Sequence, residues 1–283
     1  MSDGDELDRT LPATLRFGVS GIGLLGPGLA DWTSAQSLLV QPSGYTRAPT
    51  VLPITERLPP TERRRAGTVV KASVVVAERA VAMAGAEPSA LTTVFASSTA
   101  DPINCHVMCE TLATAPLQVS PTRFTNSVHN AAAGIWHIAV NSRAPSTSLA
   151  AHDDSFAAAL LEAALQCAAS ARPVLLVACD LPYPAPMHAL RPVADIFACA
   201  LLLTPPAAPA AWTVSLGLTS PQPASVCDGA ALDAVRQQIP TARALPLLQA
   251  LARAAAGGAG GAARRVVLPA QDGIALTLEV QAR

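Results

Sequence analysis

Apolar positions change their period several times along the chain, and each change marks an element. Residues 15–22, LRFGVSGI, read as a strand that ends in a Gly-rich turn, GIGLLGPG. Residues 33–62 are Pro-rich and without period, as a long surface excursion is expected to be. Over 66–84 apolar residues recur at helical spacing, and Gly85 followed by Pro88 marks the stop. TTVFASS, 92–98, is a β-branched strand running into a small-residue turn, after which Asp101 and Pro102 open a helix over 102–113 with the acid as its cap. The polar turn FTNSVHNAAAG leads into a helix ending near Val140, followed by a strand at 146–150 and a helix at 153–170. PVLLVACD (173–180) and DIFACALLLT (195–204) are strands apolar on both faces. Beyond Thr204 come a turn (PPAAPAA), a strand (TVSLGLT), helices at 229–238 and 244–256, a break at GGAGG, and two closing strands, RVVLP and IALTLEV. Strands buried on both faces and separated by helices predict an α/β fold with right-handed crossovers.

Composition adds a partner to this picture. Of 283 residues 51% are apolar and 14% charged, which is rich for a monomer and predicts apolar surface covered in a stable oligomer. Net charge is −1 and the basic residues are scattered apart from ERRRA, so nucleic acid is not an expected partner. The acidic opening MSDGDELDRT has no apolar stretch and no later run reaches spanning length, which predicts a cytoplasmic protein without a membrane partner. The six cysteines read as small buried hydrophobes. Cys105 and Cys109 share a helical face beside His106, but that spacing does not repeat, so neither a metal nor any other cofactor is expected.

The stretch STSLAAHDDSFAAALLEAALQ, 146–166, passes from a short strand straight into an apolar helix with His152, Asp153 and Asp154 at the junction. Three consecutive residues at a helix start point in different directions, so they do not converge on one ion.

Residues 62–98, ERRRAGTVVKASVVVAERAVAMAGAEPSALTTVFASS, resemble the opening helix and second strand of the β-ketoacyl synthases of the thiolase fold. FTNSVHNAAAGIWHIAVNSRAPSTSLAAHDDSFAAALLEAALQ resembles the segment in which those enzymes carry a small-residue helix, a dimer-edge strand and the nucleophile elbow, and PVLLVACD and DIFACALLL match the two strands that follow. The resemblance covers residues 14–204. It implies a thiolase-like α/β fold with a complete ketosynthase-like N-terminal half (1–204) and a shortened C-terminal half (205–283) completing the same domain.

Family members hold a nucleophilic cysteine at the elbow, where the helix dipole favours the thiolate. Counting from Pro145, that position falls on Asp153, with His152 and Asp154 beside it, and no cysteine is present. A carboxylate there is expected to cap the helix and not to attack. The family also draws two catalytic histidines from its second half, whereas all five histidines here (His106, His129, His137, His152, His188) precede residue 189.

The resemblance therefore implies a catalytically silent subunit like the chain length factors of type II polyketide systems, including the compact forms that serve aryl polyene synthesis. Its partners would be an active β-ketoacyl synthase, in a heterodimer, and an acyl carrier protein that brings the phosphopantetheine arm. Ser146, Thr147, Ser148, Leu149 and Ala150 would form the strand at the dimer interface. Cys105, Met108, Cys109 and Leu112 would line the partner's acyl tunnel, the alternative being plain core. Asn126, His129 and Asn130 are expected to satisfy turn backbone, and Arg63, Arg64 and Arg65 to form a solvated face, with attraction of the acidic carrier protein as the other reading. The competing functions are an acyl-thioester hydrolase or acyltransferase using His152 and Asp153, with His129 as a helper, and a scaffold subunit without acyl contact.

Overall fold

The computed structural model describes residues 14–114 and 118–283, so the acidic opening string lies outside the described residues. The chain runs β1 (Thr14–Leu25), α1 (Trp32–Val40), α2 (Pro60–Arg65), α3 (Thr68–Ala84), β2 (Thr92–Ala96), α4 (Pro102–Ala113), α5 (Pro121–Asn126) and α6 (Ala131–Ala139). It continues through β3 (Ser146–Leu149), α7 (Ser155–Ser170), β4 (Val174–Asp180), α8 (Met187–Leu190), β5 (Phe197–Thr204) and β6 (Trp212–Thr219), and closes with α9 (Ala230–Gln238), α10 (Leu245–Gly257), β7 (Arg264–Ala270) and β8 (Ile274–Ala282). All eight strands form one sheet in the order β3-β2-β4-β5-β1-β6-β8-β7. Only β2, β3 and β4 run parallel to one another, and every other pairing is antiparallel.

One face of the sheet is covered by α3 and α6, the other by α7 and α10 with α1 packed on α10. Both layers are apolar, which is why β4 and β5 are buried at every position. The expected Gly-rich turn is the second half of β1, and the reversal comes at Gly26–Gly28, where Gly28 has φ +67°. The glycines serve packing: a Cβ on Gly21 would lie 2.0 Å from the Ala80 carbonyl oxygen, and one on Gly23 would lie 1.9 Å from that of Val76. Bare backbone at these two positions lets α3 rest directly on the strand. Gly85 ends α3 with φ +61°, its N–H donating to Val81 and Ala82 carbonyls.

The aperiodic stretch 33–62 also holds a helix that its pattern hides. In α1, Asp31 accepts from the Ser34 N–H at 2.7 Å, and Trp32, Ala35 and Leu39 face inward. Trp32 meets Trp212 of β6 edge to face at 6.1 Å, and the Trp212 indole donates to the Leu251 carbonyl of α10 at 2.8 Å. The segment after residue 205 is thereby built into the same core as β1.

Four of the cysteines are buried as expected, but Cys105 and Cys109 are exposed. Burial pushes the Cys167 thiol up to about 11 and the Cys227 thiol up to about 12. The outer edge of β3 carries no strand among the described residues.

Candidate functional site

The turn between β3 and α7 sits at the open end of the parallel strands. His152 adopts φ +50°, a left-handed conformation that costs a non-glycine residue about 1–2 kcal/mol. Its neighbours hold it there: the buried Ser155 hydroxyl accepts from the Ala151 N–H at 2.9 Å and donates to the His152 carbonyl at 2.7 Å, while the Asp154 N–H donates to the Ala151 carbonyl at 2.9 Å. The imidazole points outward, with Nδ1 3.4 Å from Asp153 Oδ1.

Neither acid caps α7. Asp154 precedes the first turn but accepts no helix N–H, and both carboxylates turn instead to two arginines far along the chain. Arg191 Nη2 donates to Asp153 Oδ1 at 2.7 Å and to Ser98 Oγ at 2.6 Å. Arg243 forks, donating through Nη2 to Asp153 Oδ2 at 3.0 Å and through Nη1 to Asp154 Oδ1 at 2.6 Å. A guanidinium fork offers charge-assisted bonds to both acids at once, more than a single amide at the helix end provides. Burial works against the Arg191 charge, but bonds to Asp153 and Tyr183 outweigh it and hold the guanidinium above its ordinary value. Its carbon also lies 5.8 Å from the centre of the Tyr183 ring. Together His152, Asp153, Arg191, Gln238, Ile239 and Arg243 line an open cleft of about 350 Å³.

Behind the cleft stands a group the sequence did not single out. Asp180, at the end of β4, is fully buried. Oδ1 accepts from the Ser98 and Thr99 N–H groups at 2.7 and 3.0 Å and from the Ser97 and Thr99 hydroxyls at 3.2 and 3.3 Å. Oδ2 accepts from the Thr241 N–H at 2.9 Å and hydroxyl at 2.6 Å. The partners of Asp180 lie 61 and more residues away, and Asp153 lies 38 residues from Arg191 and 90 from Arg243, so no local pattern could have marked this aspartate or the two arginines.

The other anticipated residues fall elsewhere. His129 Nε2 donates to the Ser97 carbonyl at 3.0 Å, and among the described residues no hydrogen bond joins it to His152 or Asp153. Asn126 donates to the Arg65 carbonyl at 2.8 Å, but Asn130 makes no side-chain cap on α6. Arg64 and Arg65 are exposed, while Arg63 folds back to donate to the Thr55 carbonyl at 2.9 Å.

On α4 only Pro102 and Asn104 are fully buried. Cys105, Cys109 and Leu112 are exposed and Met108 is half-buried, which overturns the alternative that this face is core of the chain itself. His106 faces Glu110 at 3.3 Å, and no group of three metal-ligating side chains exists among the described residues. At the sheet edge Ser146 and Ala150 are exposed and Thr147, Ser148 and Leu149 half-buried. Ser146 Oγ accepts from Thr93 Oγ1 at 2.8 Å, and Thr93 Oγ1 lies 2.9 Å from His137 Nε2, which ties α6 to the edge. Burial lowers the His137 pKa. No helix among the described residues is long and apolar enough to cross a membrane.

Comparison with known proteins agrees with this arrangement of elements. A chain of the ketosynthase (ApeO) in complex with its chain length factor (ApeC), from Xenorhabdus doucetiae, superimposes with a TM-score of 0.69 at 21% identity, over 94% of this chain and 99% of that one. The ishigamide ketosynthase/chain length factor gives 0.68 at 16% identity, over 95% and 99% of the two chains. A chain of AntDE:AntF, a type II acyl carrier protein in complex with its ketosynthase, gives 0.72 at 13% identity over 95% and 100%. These likenesses show a shared ketosynthase fold extending nearly end to end. No curated protein sequence matches the chain. The sequence model described as β-ketoacyl synthase, N-terminal domain, matches residues 32–259, which runs past the elbow and well into the segment after residue 205. The chain belongs to the β-ketoacyl synthase family.

Proposed function

We propose that this chain is a catalytically inactive ketosynthase-like subunit, a chain length factor, which pairs with an active β-ketoacyl synthase and helps set acyl chain length in polyketide or polyene biosynthesis. The observation that carries the reading is the elbow. Asp153 stands where the family's thiol is expected, and both its oxygens are taken by Arg191 and Arg243. A carboxylate whose two oxygens each accept from a guanidinium presents no free oxygen to attack a thioester. The open edge of β3 supports a partner, because an unpaired row of backbone groups invites a strand from another chain. In this reading Ser146 to Ala150 meet the partner, α4 carries Cys105, Met108, Cys109 and Leu112 to its acyl tunnel, and an acyl carrier protein delivers the substrate. The similar structures, of ketosynthases with chain length factors and with an acyl carrier protein, favour the same kind of assembly.

The test is intact-protein mass spectrometry of the chain co-expressed with the β-ketoacyl synthase encoded beside it, after incubation with acyl-loaded carrier protein. Acyl mass on the co-purifying partner alone is the expected result. Acyl mass on this chain, removed by Asp153→Ala or His152→Ala, would overturn the reading in favour of a thioester hydrolase or acyltransferase.

A further inference from the structure

The proposed function leaves Asp180 without a role, although this buried carboxylate, with six hydrogen bonds donated to it, is the most heavily tied side chain among the described residues. Every donor belongs either to the turn between β2 and α4 or to Thr241. Within that turn the bonds interlock: Ser97 Oγ accepts from the Ala100 N–H at 2.8 Å, and Thr99 Oγ1 accepts from the Leu181 N–H at 2.9 Å. Ala100, the last residue of the turn but one before the helix, is held at φ +51°. Asp101 follows, capping α4 by accepting from the Asn104 N–H at 3.0 Å. From the other side Arg191 grips Ser98 while it grips Asp153.

The helix that grows from this turn has few other holds among the described residues. Its fully buried residues, Pro102 and Asn104, are both in the first turn, where Asn104 donates to the Arg123 carbonyl of α5 at 2.8 Å. Leu112, near the far end, is 56% exposed. Thus α4 is a lever fixed at its base. Twelve residues span about 18 Å, so a tilt of about 5° at the turn moves the tip by about 1.5 Å, roughly the length one methylene adds to an extended chain.

Resting on the proposed function, we infer that Asp180 is a specificity-determining positioning residue: through the 97–99 turn it fixes the angle of α4 and thereby the depth at which the partner's acyl tunnel is closed. Thr241, which binds the other oxygen, brings the segment after residue 205 into the same setting. Asp180→Asn keeps the shape but breaks the pattern. Whichever way the amide is turned, its NH₂ faces a backbone N–H, of Ser98 and Thr99 on one side or Thr241 on the other, and those donors cannot reverse.

The experiment uses the purified complex of this chain with its β-ketoacyl synthase, a malonyl-loaded carrier protein, and a series of acyl-carrier primers lengthened by two carbons at a time. Single-turnover condensation rates give the primer length at which the wild-type complex stops. With Asp180→Asn the cut-off moves to a longer primer, the rate at the former limit rising about tenfold, the scale on which an apolar pocket discriminates one methylene. Rates with short primers stay within about twofold of wild type, which a general loss of structure would not leave intact. Thr99→Val, which removes only the hydroxyl links and leaves the carboxylate paired, moves the cut-off the same way by less, and serves if the asparagine variant does not fold. An unchanged cut-off in a variant that still forms the complex and condenses short primers would overturn the inference alone. A wild-type complex with no cut-off, or no complex, would sink the proposed function and this inference with it.

Discussion

Arg243→Met tests whether the elbow is now a structural joint. The substitution keeps the apolar stem and removes the fork that reaches Asp153 Oδ2 at 3.0 Å and Asp154 Oδ1 at 2.6 Å. Arg191 still holds Asp153, so the loss falls mainly on Asp154, whose bond to Arg243 is its only ion pair among the described residues. Charge-assisted bonds contribute about 1.5–3 kcal/mol when dry and about 0.2–1 kcal/mol when exposed. The Arg243 and Asp154 side chains are 31% and 21% exposed, which places the pair between those limits. The sum over both bonds is about 1–2 kcal/mol, or a fall in Tm of about 2–8 °C for a chain of this size. Differential scanning fluorimetry at about 20 mM and about 1 M salt reads it, because screening shortens to about 3 Å at the higher concentration and the gap should then narrow by about half. A fall under about 1 °C at low salt, or one indifferent to salt, would show that the arginine does not fasten the elbow. A double-mutant cycle with Asp154→Asn should return a coupling of about 0.5–1 kcal/mol.

Three further outcomes follow from burial and charge. In the isolated native chain a thiol reagent at neutral pH should add two labels, at Cys105 and Cys109, and in denaturant all six cysteines should react; intact mass counts them. Gly23→Ala drives a methyl group against the Val76 carbonyl at 1.9 Å and should destabilise by about 3 kcal/mol or more, so soluble yield and Tm fall together. Asp233 is held down to about 2 mainly by Arg236, so its contribution is complete above the ordinary aspartate pKa and is lost as pH falls toward 2. Asp233→Asn should therefore lower stability most at pH 6 and progressively less toward pH 3, and an equal penalty across that range would refute the ion pair as its cause.

Legibility in the sequence followed the distance over which each feature is determined. Helix α3 and strands β4 and β5 were plain because spacing and β-branched runs are local properties, and Gly85 announced its own left-handed cap. The GIG of β1 misled because a glycine required by close packing looks the same in one dimension as a glycine required by a turn; only α3 lying across Gly21 and Gly23 distinguishes them. Helix α1 was masked by the prolines around it, although Asp31 and the inward Trp32, Ala35 and Leu39 were there to be read. At the elbow the triplet His152, Asp153 and Asp154 was found, but its capping role was misjudged because Arg191 and Arg243 arrive from 38 and 90 residues away. Asp180 is the extreme case, reading as the polar end of a strand until Thr241 closes over it.

The edge strand β3 has a consequence for how the chain behaves while that edge is open. It is four residues long, and Ser146, Thr147 and Ser148 make up all but one of them. Fibrillar stacking needs segments of about six or seven strongly β-prone apolar residues, so this edge is too short and too polar to template it. Under the proposed function, the unpaired subunit therefore keeps an open edge for one partner strand without offering a template for fibrils.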